Sequence, residues 1–245
     1  MSQDNILQIL KNSQYTVVLS GAELMTECGY PPLRDGEEAY DIEIEYGYSF
    51  EEIYSSAFYS TRKERFFRFY KEKMLKTVKN VPPSEAYYNL KKLQDHGLVQ
   101  SIITRQVTAL ERRAGCSNVI MLKGTMEENI CPGCGQHYSM EYMLEAKDVP
   151  LCPKCQVAIR PRICLIGEMI DNGVMTRAVE EVSKADVLLV LGANLSSPLC
   201  KYMLQYYKGS HVIVVEENAH YSDELADIVV HGRSDEFLNS FAATL

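Results

Sequence analysis

The chain has 245 residues, of which 46% are hydrophobic, so it can form one large domain or one domain that carries a small insert. Its 25 basic and 33 acidic residues give a net charge of −8, which argues against nucleic acid or an anionic membrane as a partner. No apolar run reaches the roughly 18 residues of a membrane helix, and the N-terminus lacks the basic and apolar regions of a signal peptide. We therefore expect no membrane span and no secretion signal.

Six short apolar runs rich in β-branched residues are predicted to be strands. Near-continuous apolar runs of this length are typical of strands that are covered on both faces of a sheet. Helical patterns lie between them, as at 84–96 and 171–185. This alternation predicts an α/β fold with a doubly wound, Rossmann-like, mostly parallel sheet. The predicted strands are 15–19, 99–103, 119–122, 163–166, 187–191 and 212–215.

A segment over 30–80 separates the first two predicted strands and is predicted to be a helical and loop insertion. Its part 35–52 contains eight acidic residues, which favours a solvated loop. Phe66, Phe69 and Tyr70 follow at spacings of three and four, which predicts an amphipathic helix over 62–76 with one packed face. The alternative for this segment is a lid over a pocket.

Four cysteines in the pattern C-x2-C-x17-C-x2-C are predicted to bind zinc: Cys131, Cys134, Cys152 and Cys155. The alternative is two loose pairs or two disulfides. Four thiolates fill the tetrahedral coordination of zinc and leave no position for water, so the predicted site is structural. The segment interrupts the strand and helix alternation. We therefore expect a zinc-ribbon domain over 126–160, inserted into a Rossmann-like domain formed by 1–125 and 161–245.

The remaining four cysteines are scattered along the chain and lie mostly in or beside apolar runs. Such cysteines are more often buried free thiols than disulfide partners. Free thiols are typical of a reducing compartment, so we expect a cytoplasmic protein. These cysteines are Cys28, Cys116, Cys164 and Cys200.

The order of motifs resembles the sirtuin family of NAD-dependent protein deacylases. Residues 21–34 are similar to the family's G-A-G-I-S-x-x-S-G-I-P-D-F-R loop, and 104–115 to its T-Q-N-I-D-x-L-H-x-x-A-G motif. Residues 123–125 stand at its H-G-T/S element, and 192–198 at its G-T-S-L-x-V-x-P element. The resemblance implies a Rossmann-like domain with a zinc module, and a cleft for NAD and an acyl-lysine peptide.

The resemblance also implies site residues. The catalytic positions are Lys123, where sirtuins have a histidine that acts as general base, and Gln106, where they have an asparagine that positions ribose and water. The positions expected to bind NAD or ADP-ribose are Gly21, Ala22, Thr26, Arg34, Thr108, Gly192, Ala193 and Asn194.

Several letters depart from the family pattern in the predicted reaction centre. A lysine in water has a pKa near about 10.4, so Lys123 would be a cation at neutral pH and a poor base. Thr108 replaces an aspartate, and Glu23 replaces a glycine and would repel a pyrophosphate. We expect these changes to abolish or alter the chemistry, and we expect Glu23 and Lys123 to form an ion pair across the cleft.

Three functions remain open from the sequence. The first is a sirtuin-fold protein, impaired for deacylation, that binds NAD or ADP-ribose, an extended peptide, or both. The second is an active NAD-dependent deacylase or ADP-ribosyltransferase that uses Lys123, Gln106 and Arg34. The third is a protein-interaction module that needs no nucleotide. Glu168 is interpreted either as an acid at a helix start or as a substrate contact.

Overall fold

A six-stranded parallel sheet forms the centre of the larger part of the chain, in a computed structural model that describes residues 3–242. Every neighbouring pair of strands in it is parallel. This confirms the predicted doubly wound sheet. Its strands are β1 (Thr16–Ser20), β2 (Ser101–Thr104), β3 (Val119–Met121), β7 (Val187–Leu191), β8 (His211–Glu216) and β9 (Ile228–His231), in the spatial order β3-β2-β1-β7-β8-β9.

A separate three-stranded antiparallel sheet carries the cysteine segment. It consists of β4 (Gly124–Ile130), β5 (His137–Tyr138) and β6 (Arg160–Ile163), in the order β5-β4-β6. The prediction of a strand over 163–166 is wrong: only Ile163 is in a strand, where it pairs with Gly124 in the small sheet. Beyond the small sheet, Leu165 and Ile166 pack in the apolar core that the insertion shares with the cysteine segment. The domain limits 126–160 stay a prediction.

Helices cover both faces of the parallel sheet and build the insertion after β1. None of the helices in the described part of the chain is long and apolar enough to cross a membrane. A π-helical turn, Tyr70–Leu75, and a 3-10 helix, Tyr221–Leu225, complete the helical structure. The α-helices are α1 (Gln3–Asn12), α2 (Ala22–Glu27), α3 (Gly36–Tyr46), α4 (Phe50–Ile53), α5 (Ser56–Thr61), α6 (Lys63–Phe69), α7 (Lys76–Asn80), α8 (Glu85–Asp95), α9 (Leu110–Arg113), α10 (Met140–Glu145), α11 (Asn172–Lys184), α12 (Pro198–Met203) and α13 (Ser234–Ala242).

The two faces of the parallel sheet bury separate apolar cores. Successive side chains of a strand point to opposite faces. Val18 and Leu189 pack with side chains of α1, α8 and α13 on one face. Val17 and Leu188 pack with side chains of α11 and α12 on the other. Burial on both faces explains why the strands are continuous apolar runs and why the sequence pattern was easy to interpret.

The insertion differs from its prediction in two respects. The acidic part is not a solvated loop, because most of it forms α3 and α4: Ile42 is fully buried, and Gly47 ends α3 with a left-handed φ of 73°. The aromatic segment is helical from Lys63 to Asn80 with a π-helical centre. All of its aromatic side chains from Phe66 to Tyr70 are fully buried, so it packs on more than one face. These rings share a core with Cys131 and Cys152 and join the insertion to the cysteine module.

Candidate functional site

A cleft of about 550 Å³ opens at the carboxyl ends of β1, β2 and β7. In open α/β sheets, ligands bind at this edge. The cleft brings together residues that are far apart in sequence, and all ten catalytic and cofactor positions predicted from the sequence contribute to its lining. They are Gly21, Ala22, Thr26, Arg34, Gln106, Thr108, Lys123, Gly192, Ala193 and Asn194.

The loop after β1 lies directly against the end of β7. The amide of Gly21 donates to the carbonyl of Leu191 at 2.8 Å, and the amide of Glu23 donates to the carbonyl of Gly192 at 3.1 Å. A Cβ atom on Gly21 would overlap the Gly192 carbonyl oxygen. Gly192 itself has a left-handed φ of 63°. Both glycines are therefore required by the close approach of two backbones on the floor of the cleft.

Glu23 lines the cleft but does not pair with Lys123, so the predicted ion pair is wrong. No ion pair within 4 Å joins these side chains in residues 3–242. The Glu23 carboxylate instead accepts a long hydrogen bond from the amide of Glu217 at 3.5 Å. The carboxylate therefore contributes negative charge at the β8 end of the cleft.

Three cationic side chains line the same cleft: Arg34, Arg105 and Lys123. The Arg34 guanidinium lies 5.0 Å from the centre of the Phe50 ring and 3.7 Å from a carboxylate oxygen of Glu51. Burial lowers the pKa of Lys123, and the charges of Arg105 and Arg34 lower it further. The pKa of Arg105 is lowered by burial and then by Arg34.

Arg105 was not singled out from the sequence. Its only signal there was a basic residue two positions after the predicted strand 99–103, in a motif where the sirtuin pattern has glutamine.

A buried hydrogen-bond chain holds the loop that carries Gln106. The backbone N–H of Gln106 donates to the Thr104 hydroxyl at 3.1 Å, and that hydroxyl donates to the Ser20 carbonyl at 3.2 Å. The Ser20 hydroxyl donates to Glu111 at 2.7 Å. Glu111 is fully buried, and burial raises its pKa. The sequence predicted no role for Glu111, because its neighbours Arg112 and Arg113 are typical of an exposed helical surface.

Glu168 is part of an ion pair at the junction of the two modules. Both of its carboxylate oxygens accept from Arg160, at 2.6 and 2.7 Å, and one also accepts from the Leu165 amide at 2.8 Å. It precedes α11 by several residues, so the interpretation as a helix-start acid is wrong. One guanidinium nitrogen of Arg160 donates to both oxygens, and together with the Leu165 amide it stabilises the turn after β6.

A second buried acid lies at the end of β8. Glu216 is only 2% exposed, and its pKa is raised to about 7. Burial is the largest cause, followed by a hydrogen bond to Asp223 and by the charges of Asp223 and Glu23. This end of the cleft region is therefore acidic, whereas the end near Arg105 is basic.

The four predicted zinc ligands converge. The sulfur atoms of Cys131, Cys134, Cys152 and Cys155 all lie within 4.8 Å of one another, and those of Cys134 and Cys152 are 3.7 Å apart. A zinc–sulfur bond of about 2.3 Å gives a tetrahedron with edges of about 3.8 Å, whereas a disulfide needs about 2.05 Å. Tyr138 donates a hydrogen bond to the Cys152 sulfur at 3.0 Å, as befits a thiolate. The donor set therefore fits a structural zinc ion.

The other four cysteines are free thiols, but they are not all buried. Cys116 and Cys200 are buried, as predicted. Cys28 and Cys164 are half-buried, which corrects the prediction for those two. Cys164 lies close enough to Lys123 and Arg105 for their charges to lower its pKa, although burial raises it more.

Comparison with known proteins agrees with this geometry. The sequence model of the Sir2 family matches residues 21–197. The NAD-dependent protein deacetylase of Clostridium perfringens is 31% identical over 229 residues, which cover 93% of each protein. A structure solved for the structural basis of sirtuin substrate affinity has a TM-score of 0.87 and 30% identity, and covers 98% of each chain. A Sir2 structure with a p53 peptide and NAD+ has a TM-score of 0.84 and 28% identity, and covers 100% of this chain and 98% of that one. With a family match over most of its length and an identity of this size across the whole fold, the chain belongs to the Sir2 family, the sirtuins.

Proposed function

We propose that this chain is a zinc-containing sirtuin that binds NAD or ADP-ribose in its cleft and is impaired for deacylation at neutral pH. The observation that carries the proposal is the state of Lys123. Its half-buried ammonium group stands at the position of the family's general base, beside Arg34 and Arg105. A protonated lysine donates hydrogen bonds and cannot accept a proton.

The shape of the cleft supports nucleotide binding. Its volume lies within the roughly 300–1,000 Å³ that is usual for small-molecule sites. Arg34 supplies a cation for a pyrophosphate, and Gly21 and Gly192 keep the floor free of side chains. The related Sir2 structure holds NAD+ and a peptide, which supports the same ligands here.

An extended peptide is the second proposed ligand. The related Sir2 structure holds a p53 peptide. In this chain Gly167 and Glu168 stand where the sirtuin pattern has its Gly-Glu element. Gly167 has a left-handed φ of 89°, and Met169 beyond it is 86% exposed. An exposed backbone with an apolar side chain beside it suits the addition of a peptide strand.

Zinc is the proposed structural metal of the cysteine module. The cytoplasm is the proposed location of the protein. Four converging thiols remain available to a metal only where disulfides do not form, and a reducing compartment provides that condition.

A second candidate function is active NAD-dependent deacylation or ADP-ribosyl transfer with Lys123 as the base. The observation in its favour is the lowered pKa of Lys123, because a smaller pKa increases the fraction of neutral amine. The leaving group of NAD is already a cationic pyridinium, so cleavage of its bond to ribose needs no base. Transfer is therefore less dependent on Lys123 than deacylation is.

Calorimetric titration with NAD and ADP-ribose, followed by assays of nicotinamide release and of acetyl-lysine peptide deacylation over a range of pH, tests both functions. The proposal predicts micromolar binding with little deacylation at about pH 7. Deacylation that rises with pH and disappears in Lys123→Met would instead establish the second candidate with Lys123 as the base, and nicotinamide release that survives in Lys123→Met would establish base-independent cleavage for transfer. Lys208→Met, which removes an exposed lysine outside the cleft, is the matched control. A protein that binds neither nucleotide would leave the interaction module as the remaining function.

A further inference from the structure

Arg105 and Lys123 present two positive charges to one cavity and have no acidic partner. In the described chain, neither side chain forms an ion pair within 4 Å or a hydrogen bond. Both are half-buried and line the cleft. Partly desolvated cations without a counter-charge are costly, and sites of this kind are where proteins bind anions.

The other charged groups of the cleft do not neutralise the pair. Glu23 is directed towards the amide of Glu217. Asp35 also lines the cleft but is exposed at the start of α3. Arg34 adds a third positive charge, and it is the cation that already has a partner, in Glu51.

We propose that Arg105 and Lys123 form a carboxylate-binding subsite within the cleft, and that the sirtuin therefore prefers a ligand that carries a carboxyl group beyond its pyrophosphate. The proposal rests on the proposed function, because it requires the cleft to hold the nucleotide or the peptide. A guanidinium presents a planar fork of N–H groups that matches a carboxylate, and an ammonium adds a point charge with three donors.

The neighbouring polar groups are compatible with a carboxylate. Thr108 lines the same cleft with an uncharged hydroxyl, which approaches the Met25 sulfur at 3.8 Å. Gln106 adds an uncharged amide whose backbone is held by Thr104. An acid at either position would repel a carboxylate. The basic end of the cleft is therefore free of negative charge from these two side chains.

The carboxylate has two possible sources, a carboxylated pyridine ring on the dinucleotide or a carboxyl-terminated acyl chain on the peptide lysine. Two pairs of ligands distinguish them, since the members of each pair differ in the carboxyl group. The first pair is NAD+ and its nicotinic acid counterpart. The second pair is an acetyl-lysine and a succinyl-lysine peptide of one sequence, titrated in the presence of saturating ADP-ribose.

We expect the carboxylated member of at least one pair to bind about tenfold more tightly than its neutral counterpart. The pair that shows this preference identifies whether the carboxylate belongs to the dinucleotide or to the acyl chain. In the double variant Arg105→Gln, Lys123→Met the preference should fall to less than twofold. Arg177→Gln and Lys208→Met remove exposed cations outside the cleft and should retain it. Raising the salt concentration should weaken the preference in the unmodified protein.

Equal binding within both pairs, or a preference that survives in the double variant, overturns the proposal while leaving nucleotide binding established. A protein that binds none of the four ligands and no ADP-ribose overturns the proposed function as well. Thermal unfolding of each variant separates loss of the subsite from loss of the fold.

Discussion

Glu216 couples the stability of this sirtuin to pH. It is buried at the end of β8 against Asp223, with Glu23 nearby, and these groups raise its pKa to about 7. An unfolded glutamate titrates near about 4.3. Because the pKa of Glu216 is higher in the folded protein, protonation of this carboxyl favours the folded state. Its contribution to the free energy of unfolding is fully present below about pH 4.3 and is lost as the pH rises through about 7.

Glu216→Gln should therefore become more stable relative to the unmodified protein as the pH rises. We expect a relative gain of about 1–3 kcal/mol in the free energy of unfolding between about pH 5 and pH 8, because the variant has no charge to bury. Urea denaturation at a series of pH values measures it. Glu217→Gln, at an exposed neighbour, should show no such trend. If Glu216→Gln gained no more stability with rising pH than Glu217→Gln, the pKa of Glu216 would not be raised by folding.

A second prediction at the residue scale concerns Gly21 and depends on steric overlap, not on charge. A Cβ atom there would overlap the Gly192 carbonyl, so Gly21→Ala must push the loop away from β7. We expect a loss of about 1–3 kcal/mol in the free energy of unfolding and weaker ADP-ribose binding. Gly232→Ala is the control, because no atom lies within 4 Å of its added carbon. A fully stable Gly21→Ala would show that the two backbones are not in close contact.

At the scale of elements, one lysine adds hydrogen bonds between the insertion and the cysteine module, beside their shared apolar core. Lys71, in the π-helical turn, is 9% exposed, and its ammonium donates to the carbonyls of Ala146, Lys147 and Asp148 at 2.8, 3.2 and 2.8 Å. These carbonyls follow the end of α10, where backbone acceptors lack helical partners. The side chain of Lys71 therefore supplies hydrogen-bond donors to the carbonyls that follow α10.

Lys71→Met keeps the aliphatic stem but removes all three hydrogen bonds. We expect the free energy of unfolding to fall by about 1–3 kcal/mol, because three carbonyls would lose a charged hydrogen-bond donor. Lys76→Met, on an exposed position of α7, should change it by less than about 0.5 kcal/mol. Equal stability of the two variants would show that water replaces the ammonium.

At the scale of the whole molecule, the proposed zinc ion would lie beside the core that the insertion shares with the cysteine module. Cys131 and Cys152 are fully buried in the core that also contains the aromatic rings of the insertion. A zinc ion bound by these thiolates would contribute directly to folding, because it would hold the small sheet together. Removal of the metal should therefore destabilise the wall of the cleft as well as the cysteine module.

Chelation of zinc should lower the midpoint of thermal unfolding and weaken ADP-ribose binding, because the insertion that supplies Phe50 and Tyr54 to the cleft would lose its support. Elemental analysis should give one zinc per chain in the native protein and much less in Cys134→Ser. Cys28→Ser, outside the cluster, should keep one zinc. Full metal content in Cys134→Ser would exclude this cysteine as a ligand.

The fold could be predicted from local patterns, whereas the residues of the cleft were predicted from motifs that resemble those of the sirtuin family. Apolar runs such as 187–191 identified strands of the doubly buried sheet, and the spacing of the four cysteines predicted that their sulfur atoms converge. The run at 163–166 failed because an apolar segment between two modules has the same composition as a buried strand. The acidic stretch at 35–52 failed because its few buried residues, such as Ile42, are masked by the exposed acids around them.

The amino-acid sequence by itself determined the class of fold and the set of four converging cysteines, because these depend on periodicity and spacing along the chain. The residues that line the cleft could be predicted because their motifs resemble those of the sirtuin family. Only the tertiary structure decided which charges meet. Glu23 contacts the Glu217 amide across 194 positions, not Lys123, and Arg105 and Lys123 are left together without an acid. Such pairings, and the pKa values that follow from them, depend on distance and burial in three dimensions, which residue letters do not carry.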